Sequence, residues 1–415
     1  YLILRYQKSL EYLVNQYGKE EKSMISTDKS NTININQDTY GTLSLIKNQI
    51  LGKFKRLMDA SEARTVYQTG YFRGEPMPYA YTFAPFGRRN QAIIRSVTQG
   101  QKLEFVLNGN IVGHMIVSSV FKLENPQNSI FAAREVELDE DNKTGKYAVS
   151  GEFEIYDNNL AKIKEDVLNR IKENNYQKVT ALMLTADPFH RLHERLVRMT
   201  IDKADITIIF LIRTLDSKRN LDFKLRQKTL EYFVSNFLPS ERVMIVPFEN
   251  TYLFSNHINP VLECLAAYNF GATKLVVGQN HGGIGMFFDH NQPSTILDSV
   301  SRDLGIELIV MPELVYCNQC RTIVSTKTCP HGQHHHIKYK SDTLKELLFR
   351  GILPPAILMR KEISAMILST LFPDRFENFQ KICGDLFPNV GLLEERTQND
   401  FYLELMSLYQ TTSLT

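Results

Sequence analysis

The sequence lacks the features that mark membrane proteins and nucleic-acid-binding proteins. No stretch approaches the roughly 18 consecutive apolar residues that a membrane helix needs. Lys and Arg number 48 against 46 Asp and Glu, and the net charge of +2 gives no broad electrostatic basis for binding nucleic acid or an acidic membrane surface. We therefore expect no membrane and no nucleic-acid partner, and any anion site must be local.

Cysteine is also scarce, with five residues in a chain of 415, and three of them lie between positions 317 and 329. An odd number with such clustering is typical of a metal site in a reducing compartment, not of a disulfide framework. We therefore expect a cytoplasmic protein. The chain opens at Tyr1 and not at methionine, so a missing start of the gene product, with or without a targeting segment, is expected.

The apolar pattern changes along the chain, and the length predicts two or three domains. Residues 102–123 and 146–156 are rich in short β-like runs, with Asn108-Gly109 as a hairpin signal. Beyond residue 158, β-branched apolar runs alternate with helical patterns, which predicts a parallel sheet covered on both faces. Ligands of such folds bind at the carboxyl ends of the strands. The predicted strands are 179–184, 206–212, 242–247, 274–278 and 306–311.

The first candidate site is TADPFHRLHE (185–194), directly after a predicted strand. Pro188 disfavours helix at the preceding residue and suits a helix start, so His190 and His193 should lie in the first turn, on one face. Backbone N–H groups, the helix dipole and two imidazoles suit a polyphosphate. The alternative is a pair of ordinary surface histidines.

The second candidate site is VVGQNHGGIG (276–285), which also follows an apolar strand. Four glycines within eight residues allow close approach of the backbone to a ligand, and His281 follows the same strand end. A tight turn without a ligand is the alternative.

Together these segments resemble the motifs of the ATP sulfurylase family. HRLHE resembles the HxxH motif, whose fuller form reads QxRNPxHRxHE, and VGQNHGGIG resembles GRDHAGxG. Residues 41–123 are similar in spacing to the family's N-terminal PUA-like β domain, and 221–233 resembles the stretch between the motifs, although a helical i,i+4 pair explains Asp222 and Arg226 equally well.

The resemblance implies a multidomain α/β fold. A PUA-like β domain with a leading helix would span 1–160, a parallel-sheet, Rossmann-like nucleotidyltransferase domain 161–315, and a zinc-containing helical region 316–415.

The family enzyme, sulfate adenylyltransferase, moves the AMP of ATP onto sulfate and releases pyrophosphate. The resemblance implies catalytic roles for Asp187, His190 and His193. It further implies ATP and Mg²⁺ as cofactors, a nucleotide and a small oxyanion as partners, and a homo-oligomer. The nucleotide pocket would be lined by Thr185, Gly278, Asn280, His281, Gly282 and Gly283.

Several positions depart from the family pattern. Leu184 and Ala186 stand where the family places the Gln and Arg that grip sulfate and the α-phosphate, and Gln279 and Asn280 replace an Arg and an Asp. Each lost charge-assisted contact is worth about 1.5–3 kcal/mol, enough together to abolish turnover of sulfate.

Two alternatives to a sulfate adenylyltransferase follow from these departures. One is a catalytically silent homologue that binds nucleotide for a regulatory or scaffolding role, and the other is a nucleotidyltransferase for another acceptor. Whether a cation from elsewhere in the chain, such as Arg213 or Lys345, reaches the vacant oxyanion position stays open.

Cys317, Cys320 and Cys329 form the strongest isolated signal, with four histidines just beyond them. Thiolates and one imidazole suit tetrahedral zinc. Some bacterial ATP sulfurylases carry a similar YCxxCxxxxxTKTCPH segment. We expect a closed, structural zinc site with His335 as the fourth ligand, although its neighbours stay open as alternatives, as do cysteines without a metal.

Overall fold

The structure is a computed structural model that describes residues 31–133, 144–214, 219–278, 297–338, 340–387 and 395–409, with the backbone of 287–289 and 292–294. The predicted leading helix lies outside these residues, and so do Gln279, Asn280, His281, Gly282 and Gly283 of the second motif. Among the helices described, none has the length and apolar character needed to cross a membrane.

The N-terminal part contains a four-stranded sheet in the order β1 (Thr32–Asn34), β4 (Lys102–Leu107), β5 (Asn110–Lys122), β6 (Tyr147–Ile155). Strands β4 and β5 form the predicted hairpin, in which Leu107 pairs with Asn110. Asn108 and Gly109 both have positive φ, as a two-residue turn of this kind requires. The elements are β1 (Thr32–Asn34), α1 (Gln37–Lys47), α2 (Ala60–Thr69), β2 (Tyr71–Phe72), β3 (Glu75–Pro76), α3 (Arg88–Ser96), β4 (Lys102–Leu107), β5 (Asn110–Lys122) and β6 (Tyr147–Ile155).

The central part is the predicted parallel sheet, with parallel pairing throughout. Its strand order is β13 (Glu307–Met311), β10 (Lys274–Gly278), β7 (Val179–Leu184), β8 (Ile206–Ile212), β9 (Val243–Phe248). Its elements are α4 (Asn159–Glu173), β7 (Val179–Leu184), α5 (Arg191–Ile201), β8 (Ile206–Ile212), α6 (Phe223–Phe237), β9 (Val243–Phe248), α7 (Pro260–Asn269), β10 (Lys274–Gly278), β11 (Phe287–Asp289), β12 (Gln292–Ser294), α8 (Asp298–Leu304) and β13 (Glu307–Met311). The alternation of strand and helix read from the sequence is confirmed.

Both faces of this sheet are buried, because alternate residues of each strand enter different cores. Ala181 and Met183 pack into a core shared with the N-terminal part. Leu182 and Leu184 point to the opposite face and join a core built with α5 and α6. Burial on both faces explains why the strands read as nearly continuous apolar runs.

The C-terminal part begins with a small sheet in the order β15 (Thr322–Ser325), β14 (Leu314–Cys317), β16 (His336–Ile337) and continues as helices. Several of these helices pack into the second core, so they cover one face of the parallel sheet. The boundaries at residues 160 and 315 and the PUA-like character of the N-terminal part stay predictions. The elements are β14 (Leu314–Cys317), β15 (Thr322–Ser325), β16 (His336–Ile337), α9 (Ser341–Phe349), α10 (Lys361–Leu371), α11 (Phe379–Leu386) and α12 (Gln398–Tyr409).

Candidate functional site

The two histidines of the first motif stack on each other at the start of α5. His190 occupies the N-cap position with an extended backbone, and its N–H donates to Nδ1 of His193 over 3.3 Å. The ring centroids lie 3.9 Å apart and the planes differ by 26°. Because β7 is the middle strand of the sheet, this pair lies at the carboxyl end of the sheet's centre. The predicted juxtaposition of the two imidazoles is confirmed.

Both imidazoles are electrically neutral near pH 7. His190 is only 4% exposed, and burial together with the neighbouring His193 lowers its pKa well below 6.5. Burial and the nearby His257 lower the pKa of His193 to about 4. Nε2 of His190 lies 2.9 Å from the hydroxyl of Ser341 on α9. The pair can therefore offer hydrogen bonds to a phosphate, but it brings no positive charge at this pH.

Asp187 lies in a buried ion pair that joins the motif to α9. Its Oδ2 accepts from Nζ of Lys345 at 2.7 Å, and its Oδ1 accepts from the N–H of Leu221 at 3.0 Å. Nζ of Lys345 also donates to Oδ1 of Asn220 at 3.0 Å. Lys345 is 8% exposed and its charge is compensated by Asp187. Lys345 therefore reaches the motif, where its ammonium group pairs with the carboxylate of Asp187.

Leu184 and Ala186 do not line an open pocket. They are 4% and 0% exposed and belong to the second core. Between them, the carbonyl of Thr185 accepts a hydrogen bond of 2.6 Å from Nη1 of Arg226. The positions that grip the oxyanion in the family are therefore filled by apolar packing.

Arg226 is a buried cation beneath the motif, 2% exposed. Its Nη1 also donates to the carbonyl of Ile212 at 3.2 Å. Asp222 instead caps α6, where it accepts from the N–H groups of Lys224 and Leu225. The two side chains therefore hydrogen-bond to different groups, although the charge of Asp222 still acts on the guanidinium of Arg226.

His257 is a third imidazole near the motif, and no sequence pattern pointed to it. Its Nδ1 lies 3.0 Å from Oε1 of Glu263, which is fully buried in the first turn of α7. Asn256 and His257 both have positive φ, a conformation that tertiary contacts must hold. The loop after β9 thus comes close enough to α5 for His257 to act on the pKa of His193.

The start of α5 is fastened to the C-terminal part by Glu194, which is 7% exposed. Arg360 donates to both of its carboxylate oxygens, over 2.9 and 2.6 Å. Arg191 donates to the same carboxylate from within the helix, and its backbone N–H donates to the carbonyl of Leu358. Burial raises the pKa of Glu194, but the hydrogen bonds and charges of the arginines outweigh it and hold the pKa below its usual value.

Gly278 ends β10, and β10 pairs directly with β7. The described part of the second motif therefore ends beside the first motif, at the same carboxyl edge of the sheet. Its further residues Asn280, His281, Gly282 and Gly283 lie outside the described residues.

The cysteine cluster forms a compact set of four ligand atoms, from Cys317, Cys320, Cys329 and His331. Nδ1 of His331 lies 3.5, 3.2 and 3.6 Å from the three sulfurs in chain order, and the sulfurs of Cys320 and Cys329 are 3.9 Å apart. The fourth member is His331 and not the expected His335, whose Nδ1 lies 3.0 Å from Oδ1 of Asn318. The β14–β15 turn carries Cys317 and Cys320, and the loop after β15 brings Cys329 and His331 to them. Residue 335 follows in a separate turn, so its imidazole lies outside the group.

Comparisons with known proteins identify the family. A family model described as ATP-sulfurylase matches residues 158–370, about half of the chain. The chain belongs to the ATP-sulfurylase family. The matched region includes the histidine pair, the buried ion pair and the cysteine cluster.

Curated relatives carry the same family's name. The chain is 25% identical over 259 residues to a sulfate adenylyltransferase of Carboxydothermus hydrogenoformans, covering 60% of this chain and 66% of that protein. It is 26% identical over 212 residues to a sulfate adenylyltransferase of Halothermothrix orenii, covering 51% of this chain and 55% of that protein. The chain thus spans between half and two thirds of the length of these relatives.

A solved structure shares the fold. The hexameric APS kinase from Thiobacillus denitrificans superposes with a TM-score of 0.61 at 14% identity, covering 86% of this chain and 66% of that chain. The mixed α/β architecture with a central parallel sheet is therefore that of a known structure.

Proposed function

We propose that this protein transfers the AMP of ATP to a small oxyanion, with sulfate as the first candidate acceptor, and releases pyrophosphate. The observation that carries the proposal is the stacked pair His190–His193 at the carboxyl end of the middle strand, in a chain of the ATP-sulfurylase family. Sulfate is a poor nucleophile, so the reaction depends on positioning the reactants and on stabilising charge at the α-phosphate and the leaving group.

Each described motif residue has a role in this proposal. Neutral His190 and His193 hydrogen-bond the phosphates, and Thr185 and Gly278 form the nearby pocket wall. Asp187 is a positioning residue, because its two oxygens are held by Lys345 and the N–H of Leu221. The family resemblance adds Asn280, His281, Gly282 and Gly283 to the wall. Mg²⁺ carried in with ATP would neutralise the pyrophosphate leaving group.

The test is pyrophosphate release from ATP and Mg²⁺ by the purified chain, with and without sulfate. Sulfate-dependent release supports the proposal. ATP binding without release, when measured by calorimetry on the same preparation, would favour the silent homologue. Release that requires another acceptor would favour a different nucleotidyltransferase, an outcome consistent with the apolar packing at Leu184 and Ala186.

We further propose that Cys317, Cys320, Cys329 and His331 hold one structural zinc ion. Ideal Zn–S and Zn–N bonds in a tetrahedron place two sulfurs about 3.8 Å apart and a sulfur and a nitrogen about 3.6 Å apart. The separations in the structure, 3.9 Å between the sulfurs of Cys320 and Cys329 and 3.2–3.6 Å between the sulfurs and Nδ1 of His331, are close to these values. Four protein ligands close the coordination sphere, so the ion would join two short loops and take no part in catalysis.

A cytoplasmic location and a homo-oligomer also belong to the proposal. The hexamer is the oligomeric state of the structural neighbour. Sedimentation velocity would measure the oligomeric state of this chain.

A further inference from the structure

A polar cleft of about 470 Å³ lies beside the first motif, at the carboxyl ends of β8 and β9. It lies between the N-terminal part and the parallel sheet, a common position for a ligand site. On one side, Nε2 of Gln37 from α1 donates to Oδ1 of Asn250 at 2.8 Å. The cleft is lined by Gln37, Arg213, Thr214, Asn220, Leu221, Asp222, Phe223, Lys224, Arg226, Glu249 and Asn250.

The cleft is joined to the motif by direct hydrogen bonds. Asn220 accepts from Lys345, the partner of Asp187, and the N–H of Leu221 donates to Asp187 itself. Arg226 donates to the carbonyl of Thr185. Three lining residues therefore contact the motif or the partner of its aspartate, so a ligand in the cleft would lie next to the site proposed for the nucleotide.

Three cations line the cleft, and one of them is deeply buried. Arg226 is 2% exposed, and within the described residues its Nε–H is buried without a hydrogen-bond acceptor. Because this atom has almost no accessible surface, Arg226 acts on the cleft through its positive charge and not through this N–H. Arg213 stacks on the ring of Tyr252 at 4.3 Å, which fixes the plane of its guanidinium.

Two carboxylates oppose these charges. Asp222 already accepts hydrogen bonds from the start of α6, and Glu249 lies at the end of β9. Among the described lining residues there are three cations, Arg213, Lys224 and Arg226, and two carboxylates, Asp222 and Glu249, which leaves one excess positive charge. The cleft therefore favours a compact anion that contacts the arginines, because guanidinium groups match the oxygens of tetrahedral oxyanions.

We propose that this cleft is the binding site for the acceptor oxyanion, held by Arg213, Lys224 and Arg226. The cleft supplies the cations that the buried, apolar Leu184 and Ala186 do not. It is larger than one sulfate requires, so a hydrated sulfate, a phosphate or a somewhat larger oxyanion fits. This inference rests on the proposed function for the identity of the acceptor, but the binding of the anion stands on the cleft alone.

The test is direct binding of sulfate and, separately, of inorganic phosphate to the full chain in the absence of ATP, measured by calorimetry. The variants Arg213→Gln and Lys224→Gln each remove one cation from the lining. Lys228→Gln is the matched control, because Lys228 is an exposed lysine one turn further along α6 and does not line the cleft. We expect about tenfold weaker binding for each lining variant and no change for the control.

The comparison of the two anions identifies the ligand. Tighter binding of sulfate supports a sulfate acceptor, and tighter binding of phosphate supports an oxyanion site for another acceptor. No binding of either anion by the wild-type chain at about 20 mM, or equal affinities for the lining and control variants, overturns the proposal.

Activity measurements separate this inference from the proposed function. Sulfate-dependent pyrophosphate release with an unchanged KM for sulfate in Arg213→Gln and Lys224→Gln would leave the function standing and refute the cleft. Anion binding that these variants weaken, without pyrophosphate release by the wild type, would support the cleft and refute the function.

Discussion

The first turn of α5 with His190 and His193, here called the histidine turn, and the cysteine cluster both gather chemically active side chains. They are built differently. The four members of the cluster fall within fifteen residues, and two short loops bring them together. The histidine turn depends on distant residues: Ser341, Lys345 and Arg360 from the C-terminal part contact His190, Asp187 and Glu194. A local site can be read from spacing, whereas a site assembled over 150 residues needs the fold.

The largest expected effect comes from removing one ligand of the cysteine cluster. His331→Ala should remove one zinc ligand and reduce the zinc content from about one per chain toward zero, with loss of structure in the loops that the metal joins. His335→Ala is the matched control and should retain zinc. Metal analysis of the two purified variants checks this, and loss of zinc only from His335→Ala would show that the assignment is wrong.

The next largest effect is expected from removing the buried ion pair between Asp187 and Lys345. Lys345→Met leaves Asp187 buried without its cation, and we expect a loss of about 3–5 kcal/mol in the free energy of unfolding. Asp187→Asn combined with Lys345→Met should recover part of that loss, because no charge is then buried alone. Lys338→Met, which breaks an exposed pair with Glu313, should cost about 1 kcal/mol or less.

Urea unfolding of the four proteins measures these differences. Equal losses in Lys345→Met and Lys338→Met would contradict the distinction between the buried and the exposed ion pair.

Replacing both histidines tests whether the histidine turn acts in the proposed reaction. His190→Asn with His193→Asn keeps polar side chains but removes the imidazoles, and we expect kcat/KM for ATP to fall on the order of 100-fold, about 2.7 kcal/mol. His114→Asn on β5 is the control, since this histidine contacts Tyr156 far from the turn. Pyrophosphate release gives the rates, and an unchanged rate in the double variant would exclude the proposed role.

The smallest expected effect is a pH dependence confined to the histidine turn. The pKa of His193 is about 4 in the folded chain, against an ordinary histidine value of 6.5, so the unfolded chain binds more protons between these values. The contribution of neutral His193 to stability is fully present above pH 6.5 and is lost as the pH falls toward 4. Between pH 7 and pH 5 we expect the wild type to lose about 1–2 kcal/mol more than His193→Asn.

Urea unfolding at the two pH values tests this expectation. Parallel losses in both proteins would mean that His193 keeps an ordinary pKa in the folded chain.

Much of the central fold was predictable because burial on both faces leaves a strong pattern. Strands β7, β8 and β10 begin and end where the apolar runs indicated. The cysteine spacing also located the cluster of ligand atoms, although it did not select the histidine. His331 and His335 both lie within reach along the chain, and only the path of the loop after Cys329 decides between them.

The sequence by itself determined the alternation of strand and helix, the hairpin at Asn108-Gly109, the place of His190 and His193 in the first helical turn and the clustering of three cysteines. These are properties of short stretches, in which periodicity, turn chemistry and spacing act within a few residues. Tertiary structure alone decided that Lys345 neutralises Asp187, that His257 approaches the histidine pair and that Arg226 lies buried under Thr185. Each of these contacts joins residues that are far apart in the chain. Its stabilising free energy depends on burial in the folded protein, which no local sequence pattern indicates.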